Sequence, residues 1–357
     1  MTKILYIIKN LQQGGTEGQL LRLWAALPER FDKRLCLTSP EVHYDGAPPH
    51  ALAPDPAALA RVIDDERPDL VCSFRDVTNV AVWRALARAQ HRPAWLPSVR
   101  GRPVKIFDAL RTRLICGRAH RVAVNSEGVA AALRRVGVTN VALTPNLTDV
   151  GRYRPAAEAE RAAARAELGI ADGTFVWALP ARLSWVKNQL GLAAAAARLP
   201  RPVVVLLPGR ARDALPAWLL PRWARMLGVD DRLRLLGPLA NLAPIYAAAD
   251  ALVLASIAEG MPNVCLEAHL SGLPIVVTAE GNRDEIVADG RTGFVAPLPT
   301  PGSLRRAMTA LMDVAPDERR AMGERGRARV LERFDRRAVL DRIVALYDEA
   351  IAAGAPS

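Results

Sequence analysis

Short apolar runs alternate along the chain with longer stretches in which apolar residues recur every three or four positions. In the first half the runs fall at residues 3–8, 35–38, 70–74, 95–99, 122–125 and 141–144. Continuous apolar runs of this length fit strands buried on both faces, as in a parallel sheet. Between them, residues 16–27, 57–66, 80–90 and 128–136 carry the period of helices that bury one face. Thr16 with Gln19 three positions later fits a capping box at the start of the first of these helices. Residues 40–56 form a long Pro-rich loop. Residues 145–163, polar and broken by Gly151 and Pro155, read as a linker. A second set then begins, with strands expected at 175–179, 203–207, 233–235, 252–255 and 275–278 and helices at 188–198, 215–227 and 243–249. Residues 316–351 are helical and charged, with Phe334 between two helices.

This alternation predicts an α/β protein of two doubly wound, Rossmann-like domains. The expected boundaries are residues 1–150 and 151–335, with residues 336–357 a C-terminal helix packing back on the first domain. A chain of 357 residues also exceeds one ordinary core. Two such domains facing across a cleft place their ligands at the carboxyl ends of the strands.

Residues 252–276 carry the clearest chemistry. They read as strand, loop, helix, turn, strand, with Pro262 suited to the first helical turn and Gly272 and Pro274 ending the helix. A helix starting just past a strand end points unpaired N–H groups and a positive dipole end into the crevice, which suits phosphate. Gly260, Met261, Asn263 and Val264 are the candidate backbone donors. Glu259 precedes this cradle and Glu267 lies over a turn into the helix, and an acceptor-only carboxylate suits neighbouring sugar or ribose hydroxyls. The bland alternative is two solvated charges. Gly14-Gly15 closes the first strand in the same way and lets a ligand approach the backbone, with Thr16 beside it. It is not the dinucleotide fingerprint G-x-G-x-x-G. Arg182 and Lys187 follow the second set's first strand, where two cations can neutralise a leaving diphosphate. With 48 basic residues in the chain, two surface cations is the competing reading.

Composition narrows the partners. The net charge is +11 and the isoelectric point about 10.1, which admits nucleic acid, an anionic membrane surface or phosphorylated small molecules. Basic and aromatic residues are not interleaved on one face, so no nucleic-acid partner is expected. Cys36, Cys72, Cys116 and Cys265 sit in or beside apolar runs at no metal or disulfide spacing. No apolar run approaches the roughly 20 residues a membrane span requires. The expected location is cytoplasmic, peripheral on the inner membrane face. In residues 104–116, Ile106, Phe107, Leu110, Leu114 and Ile115 form one stripe, with Lys105, Arg111, Arg113 and Arg118 off it. That pattern fits a core-facing helix or one lying on an anionic bilayer.

Several motifs together resemble a known family. E-G-M-P-N-V-C-L-E at residues 259–267 resembles the E-x7-E motif of the retaining glycosyltransferases of family 4, the glycosyltransferase group 1 proteins of GT-B fold. A-R-L-S-W-V-K-N resembles their G-R-L-x-x-x-K-G, with Ala181 and Asn188 in place of the glycines. Gly14-Gly15-Thr16-Glu17, Asn146-Leu147-Thr148-Asp149 and residues 281–293 are similar to three further family segments. The resemblance spans about residues 4–340. It implies that Arg182 and Lys187 hold the donor diphosphate, Glu259 contacts the transferred sugar and Glu267 the ribose. Gly15 joins the donor site, and the turn around Leu239 resembles the base-recognition turn. Gly14, Thr16 and Arg100 fall on the acceptor side, Arg100 where many members have a histidine.

The expected function is therefore retaining transfer of a hexosyl-type sugar from a nucleotide-sugar, UDP favoured and GDP open. The expected acceptor is a lipid-linked or growing saccharide in cell-surface polysaccharide synthesis. No cofactor or metal is expected, since no D-x-D motif is present. A nucleotide-sugar 2-epimerase and a non-catalytic sugar-nucleotide-binding subunit are the alternatives.

Overall fold

The computed structural model describes residues 1–12, 14–101, 106–200, 202–211, 216, 218–281 and 286–355, with the side chains of residues 106, 107 and 109 excepted. The chain divides into two compact units, Met1–Leu147 with Phe334–Ser357, and Thr148–Arg333.

The first unit is built on strands β1 (Thr2–Ile8), β2 (Phe31–Leu37), β3 (Ala51–Leu52), β4 (Leu70–Phe74), β5 (Ala94–Val99), β6 (Val122–Val124) and β7 (Val141–Leu143). They form one parallel sheet in the order β3-β2-β1-β4-β5-β6-β7. Helices α1 (Gly15–Ala26), α2 (Pro56–Glu66), α3 (Asp76–Leu86), α4 (Ile106–Cys116) and α5 (Glu127–Arg135) connect them. Ile4 to Ile8 are each at most 1 % exposed, because helices cover both faces of this central strand. Each such side chain contributes roughly 1.5–3 kcal/mol of burial. The strand order reverses between β1 and β4, so the crevice of this unit opens above their carboxyl ends.

The second unit carries α6 (Glu158–Glu167), β8 (Phe175–Ala178), α7 (Gln189–Ala196), β9 (Val203–Pro208), α8 (Leu219–Met226) and β10 (Leu233–Gly237). It continues with α9 (Ala243–Ala248), β11 (Ala251–Leu254), α10 (Asn263–Leu270), β12 (Ile275–Thr278), β13 (Gly293–Ala296), α11 (Pro301–Asp313) and α12 (Pro316–Arg333). Its parallel sheet runs β10-β9-β8-β11-β12-β13, with the reversal between β8 and β11. Gly323 of α12 lies so close to α10's end that a Cβ there would stand 1.8 Å from the Gly272 carbonyl oxygen. The last helix, α13 (Arg336–Ala353), returns to the first unit. It buries Val339, Ile343, Leu346, Tyr347 and Ala350, spaced to one helical face, and Tyr347 Oη meets Tyr6 Oη at 3.3 Å.

Four expectations need correction. Thr16 does not cap α1: Gly14 occupies that position without a side-chain bond. Gln19 instead donates to Leu147 O and accepts from Leu147 N, at 3.0 and 2.8 Å, tying α1 to a segment 128 residues away. The Pro-rich loop contains the edge strand β3, and its Val42 bridges to Leu11. The expected linker runs into α6, whose Glu160 reaches back to the Ala157 N–H at 2.8 Å and pairs with Arg154. In α4 the expected apolar stripe divides: Ile115 is buried, but Leu110 and Leu114 are 48 % and 62 % exposed. Val104 and Lys105 lie outside the described residues. So do residues 282–285 of the late motif, Gln13 of the first glycine loop and residues 212–215 before α8.

Candidate active site

In the second unit, the loops that follow β8 and β11 leave the sheet side by side at its reversal point. The first contains a 3-10 turn, Trp185–Lys187, ending at Asn188 with φ 55° and ψ 37°. That left-handed conformation penalises most side chains, and Asn tolerates it better than other non-glycine residues. Asn188 thus holds the backbone shape that a glycine would give at this place. Its Nδ2 donates to Ala255 O at 3.2 Å and Pro299 O at 2.8 Å, fastening the loop to the end of β11 and to the start of α11. Gln189 Nε2 closes the same loop on Arg182 O at 2.7 Å.

The second loop delivers Glu259. Its Oε1 accepts from Lys187 Nζ and, at 2.7 Å, from Ser256 Oγ. Thr278 Oγ1 in turn donates to Ser256 O at 2.5 Å, anchoring that loop to the end of β12. The ion pair is largely enclosed, with 18 % of the Lys187 side chain and 13 % of the Glu259 side chain exposed. Enclosure strengthens the attraction between the charges and raises the cost of leaving either one alone. Arg182, five residues before Lys187, lies exposed on the same loop.

Helix α10 begins three residues past Gly260. Its cap is Pro262, which has no N–H, and Cys265 N already donates to Pro262 O. Gly260 and Met261 are buried, and Asn263 and Val264 are half-buried in the first helical turn. Glu267 sits inside α10, 7 % exposed, and accepts from Tyr246 Oη at 3.0 Å. Leu239 is on an exposed loop after β10. The structure therefore joins Lys187 to Glu259 directly, and sets Glu267 about one helical turn along from Asn263 and Val264.

In the first unit, Gly14, Gly15 and Thr16 open α1 at that unit's own reversal point. Gly14 N and O both meet Tyr44 Oη at 3.3 Å. A Cβ on Gly14 would stand 2.3 Å from Glu17 Oε2, so a larger residue there would have to displace the end of the buried Glu17 side chain. Arg75 follows β4 with φ 77° and ψ 152°, a region open essentially to glycine alone, and its Nη1 lies 3.4 Å from Glu17 Oε1. Arg100 follows the adjacent β5. It is half-buried, donates to Asn146 Oδ1 at 2.6 Å and to Ser98 Oγ at 3.5 Å, and lies 5.8 Å from the Phe74 ring centre. Among the described residues no carboxylate pairs with it, and burial pulls its guanidinium down to about 10.

Sequence reasoning did not single out Ser256, Thr278, Tyr246 or Arg75. Ser256 and Thr278 end apolar runs, as many strand termini do. Tyr246 looks like any core aromatic, and nothing local marks Arg75 as strained.

A family model described as glycosyl transferases group 1 matches residues 174–313, which hold Arg182, Lys187, Glu259 and Glu267. The D-inositol 3-phosphate glycosyltransferase of Segniliparus rotundus is 33 % identical over 219 residues, 60 % of this chain and 48 % of that protein. The chain spans about half the length of the curated relatives it matches. Among solved structures, HepE of Anabaena in complex with UDP and glucose superposes with a TM-score of 0.85 at 21 % identity, covering 98 % of this chain and all of that one. Sucrose-phosphate synthase from Thermosynechococcus elongatus gives 0.84 at 20 % identity, covering 99 % and 100 %. Residues 174–313 thus match the group 1 glycosyltransferases, and the chain has the GT-B fold, the seven- and six-stranded sheets being its two Rossmann-like halves.

Proposed function

We propose that this protein transfers a hexosyl-type sugar from a nucleotide-sugar, with a UDP-sugar as the favoured donor, and retains the anomeric configuration. The observation that carries this reading is the enclosed Lys187–Glu259 pair beside the start of α10. Charge on the departing diphosphate would be met by Lys187, by Arg182 and by the amides of Asn263 and Val264, all in place before the bond breaks. Glu259 would hold hydroxyls of the moving sugar and Glu267 those of the ribose. Binding of the diphosphate would draw Lys187 from Glu259 and release that carboxylate to the sugar, so donor binding switches on sugar recognition. HepE in complex with UDP-glucose, on the same fold, supports the choice of donor.

The acceptor, in this reading, carries a phosphate. Among the described residues the half-buried Arg100 has neutral partners only, and the curated relatives are named for inositol 3-phosphate. Lipid-linked saccharides share that chemistry. The exposed Leu110 and Leu114 of α4, with exposed Arg111, Arg113 and Arg118 around them, suit docking on an anionic bilayer at the cytoplasmic face.

The test is to incubate the protein with UDP-, GDP- and ADP-sugars, with and without sugar phosphates and lipid-linked pyrophosphates, and to follow product by NMR. Acceptor-dependent release of UDP with a retained anomeric centre is the expected result. An epimerised donor formed without acceptor would overturn the transferase reading. Sedimentation with anionic vesicles, weakened in Leu114→Glu, tests the docking; equal sedimentation of both proteins would refute it.

A further inference from the structure

Glu267 is buried in α10, and the phenol that meets its Oε2 comes from a different helix, α9. Tyr246 is itself 1 % exposed. The Tyr153 ring packs edge-on against it, with ring centres 5.6 Å apart, and helps hold the phenol in place. Burial, with Glu267 and Tyr153 nearby, pushes the Tyr246 hydroxyl well above its usual range, which keeps it protonated and donating. Glu267 is acceptor-only and has three rotatable side-chain torsions. A carboxylate that must meet two neighbouring hydroxyls binds more tightly when those torsions are settled beforehand.

We infer that Tyr246 is a positioning residue that makes the donor site selective for ribonucleotides, by fixing the Glu267 carboxylate against the ribose 2′ and 3′ hydroxyls. The inference rests on the reading of Glu267 as the ribose ligand. A tyrosine that only tied α9 to α10 would alter stability and leave the preference for ribose over 2′-deoxyribose untouched. That preference is therefore the quantity to measure.

The experiment takes the full chain as wild type, Tyr246→Phe and Glu267→Gln. The ligand is whichever of UDP, GDP and ADP the wild type binds best, together with its 2′-deoxy counterpart. Competing the two nucleotides in one sample reads the ratio from a single folded population, so a partly unfolded variant still reports it. The wild type should prefer the ribonucleotide by about tenfold or more, as expected for a hydrogen bond to a charged group. Tyr246→Phe should cut that preference by at least about threefold, by weakening the ribonucleotide alone, and should raise the donor KM with kcat nearly unchanged. Glu267→Gln should abolish the preference. An unchanged ratio in Tyr246→Phe with a lost ratio in Glu267→Gln overturns the role of Tyr246 and leaves the Glu267 reading standing. An unchanged ratio in both, or no ribose preference in the wild type, overturns the two together.

Discussion

The Lys187–Glu259 pair allows stability and activity to be pulled apart. Lys187→Ala leaves a carboxylate that is 13 % exposed and still accepts from Ser256 Oγ. Breaking a fully buried pair on one side costs about 3–5 kcal/mol. With 13–18 % of the two side chains still exposed, solvent screening reduces this to about 1–3 kcal/mol. In a unit of this size that corresponds to roughly 2–12 °C in melting temperature. Glu259→Ala should cost a similar amount by stranding the ammonium. The double variant strands neither charge, so it should recover at least half of the loss. Activity should not recover: each single variant and the double should fall by two or more orders of magnitude, because removing one donor aimed at developing charge costs about 10²–10³. The assay is a thermal melt of the four proteins beside initial rates of nucleotide release. Additive melting losses in the double variant would refute the buried pair. A double variant that regained activity with its stability would refute the catalytic assignment.

Three further outcomes follow from the packing around this site. His269 is fully buried in α10, and desolvation pulls its folded-state pKa down to about 4 from 6.5. Above pH 6.5 both states are neutral there; as pH falls from 6.5 toward 4 the unfolded state takes the proton first, so stability drops by about 3 kcal/mol across that window. Denaturant titrations of wild type and His269→Gln at pH 7 and pH 4.5 check this, the variant losing less. Gly323→Ala should destabilise by about 3 kcal/mol or more, since its Cβ would meet backbone, whereas Gly302→Ala, whose Cβ would have nothing nearer than 3.8 Å, should be neutral or slightly stabilising. Asn188→Ala should cost more than Asn188→Gly by about 1 kcal/mol, because both lose the bonds to Ala255 and Pro299 and alanine alone also resists a φ of 55°; equal losses would remove the backbone argument.

Much of the architecture was legible because parallel strands buried on both faces must be continuously apolar. Residues 275–278 and 70–74 read directly as the strands that the structure contains. The two-residue edge strand β3 could not be read that way, since its partner on one side is solvent and its pattern is too short to register. Helix α6 was obscured by its polarity: Ala164 is the one residue of α6 that it buries, and its start is held by Glu160 rather than by an apolar face. The face that α4 turns inward depends on what packs beneath it, and a stripe containing Leu110, Leu114 and Ile115 does not say which member is buried. At the candidate site, the strand–loop–helix units were visible in their glycines and prolines. The pairing of Lys187 with Glu259, 72 residues apart, came only from the sheet order that brings β8 beside β11, and that of Tyr246 with Glu267 from the packing of α9 against α10 on either side of β11 in the chain. The strain at Arg75 has no sequence signature, because arginine is not a residue that the conformation selects.

The most direct measurement is a crystal of the protein soaked with UDP-glucose. The proposed chemistry requires the diphosphate to lie within hydrogen-bond reach of Lys187 Nζ and the first amides of α10, with the ribose on Glu267 and Glu259 turned from lysine to sugar. Nucleotide bound instead at the Gly14–Gly15 turn of the first unit, with Lys187 and Glu259 still paired, would contradict it.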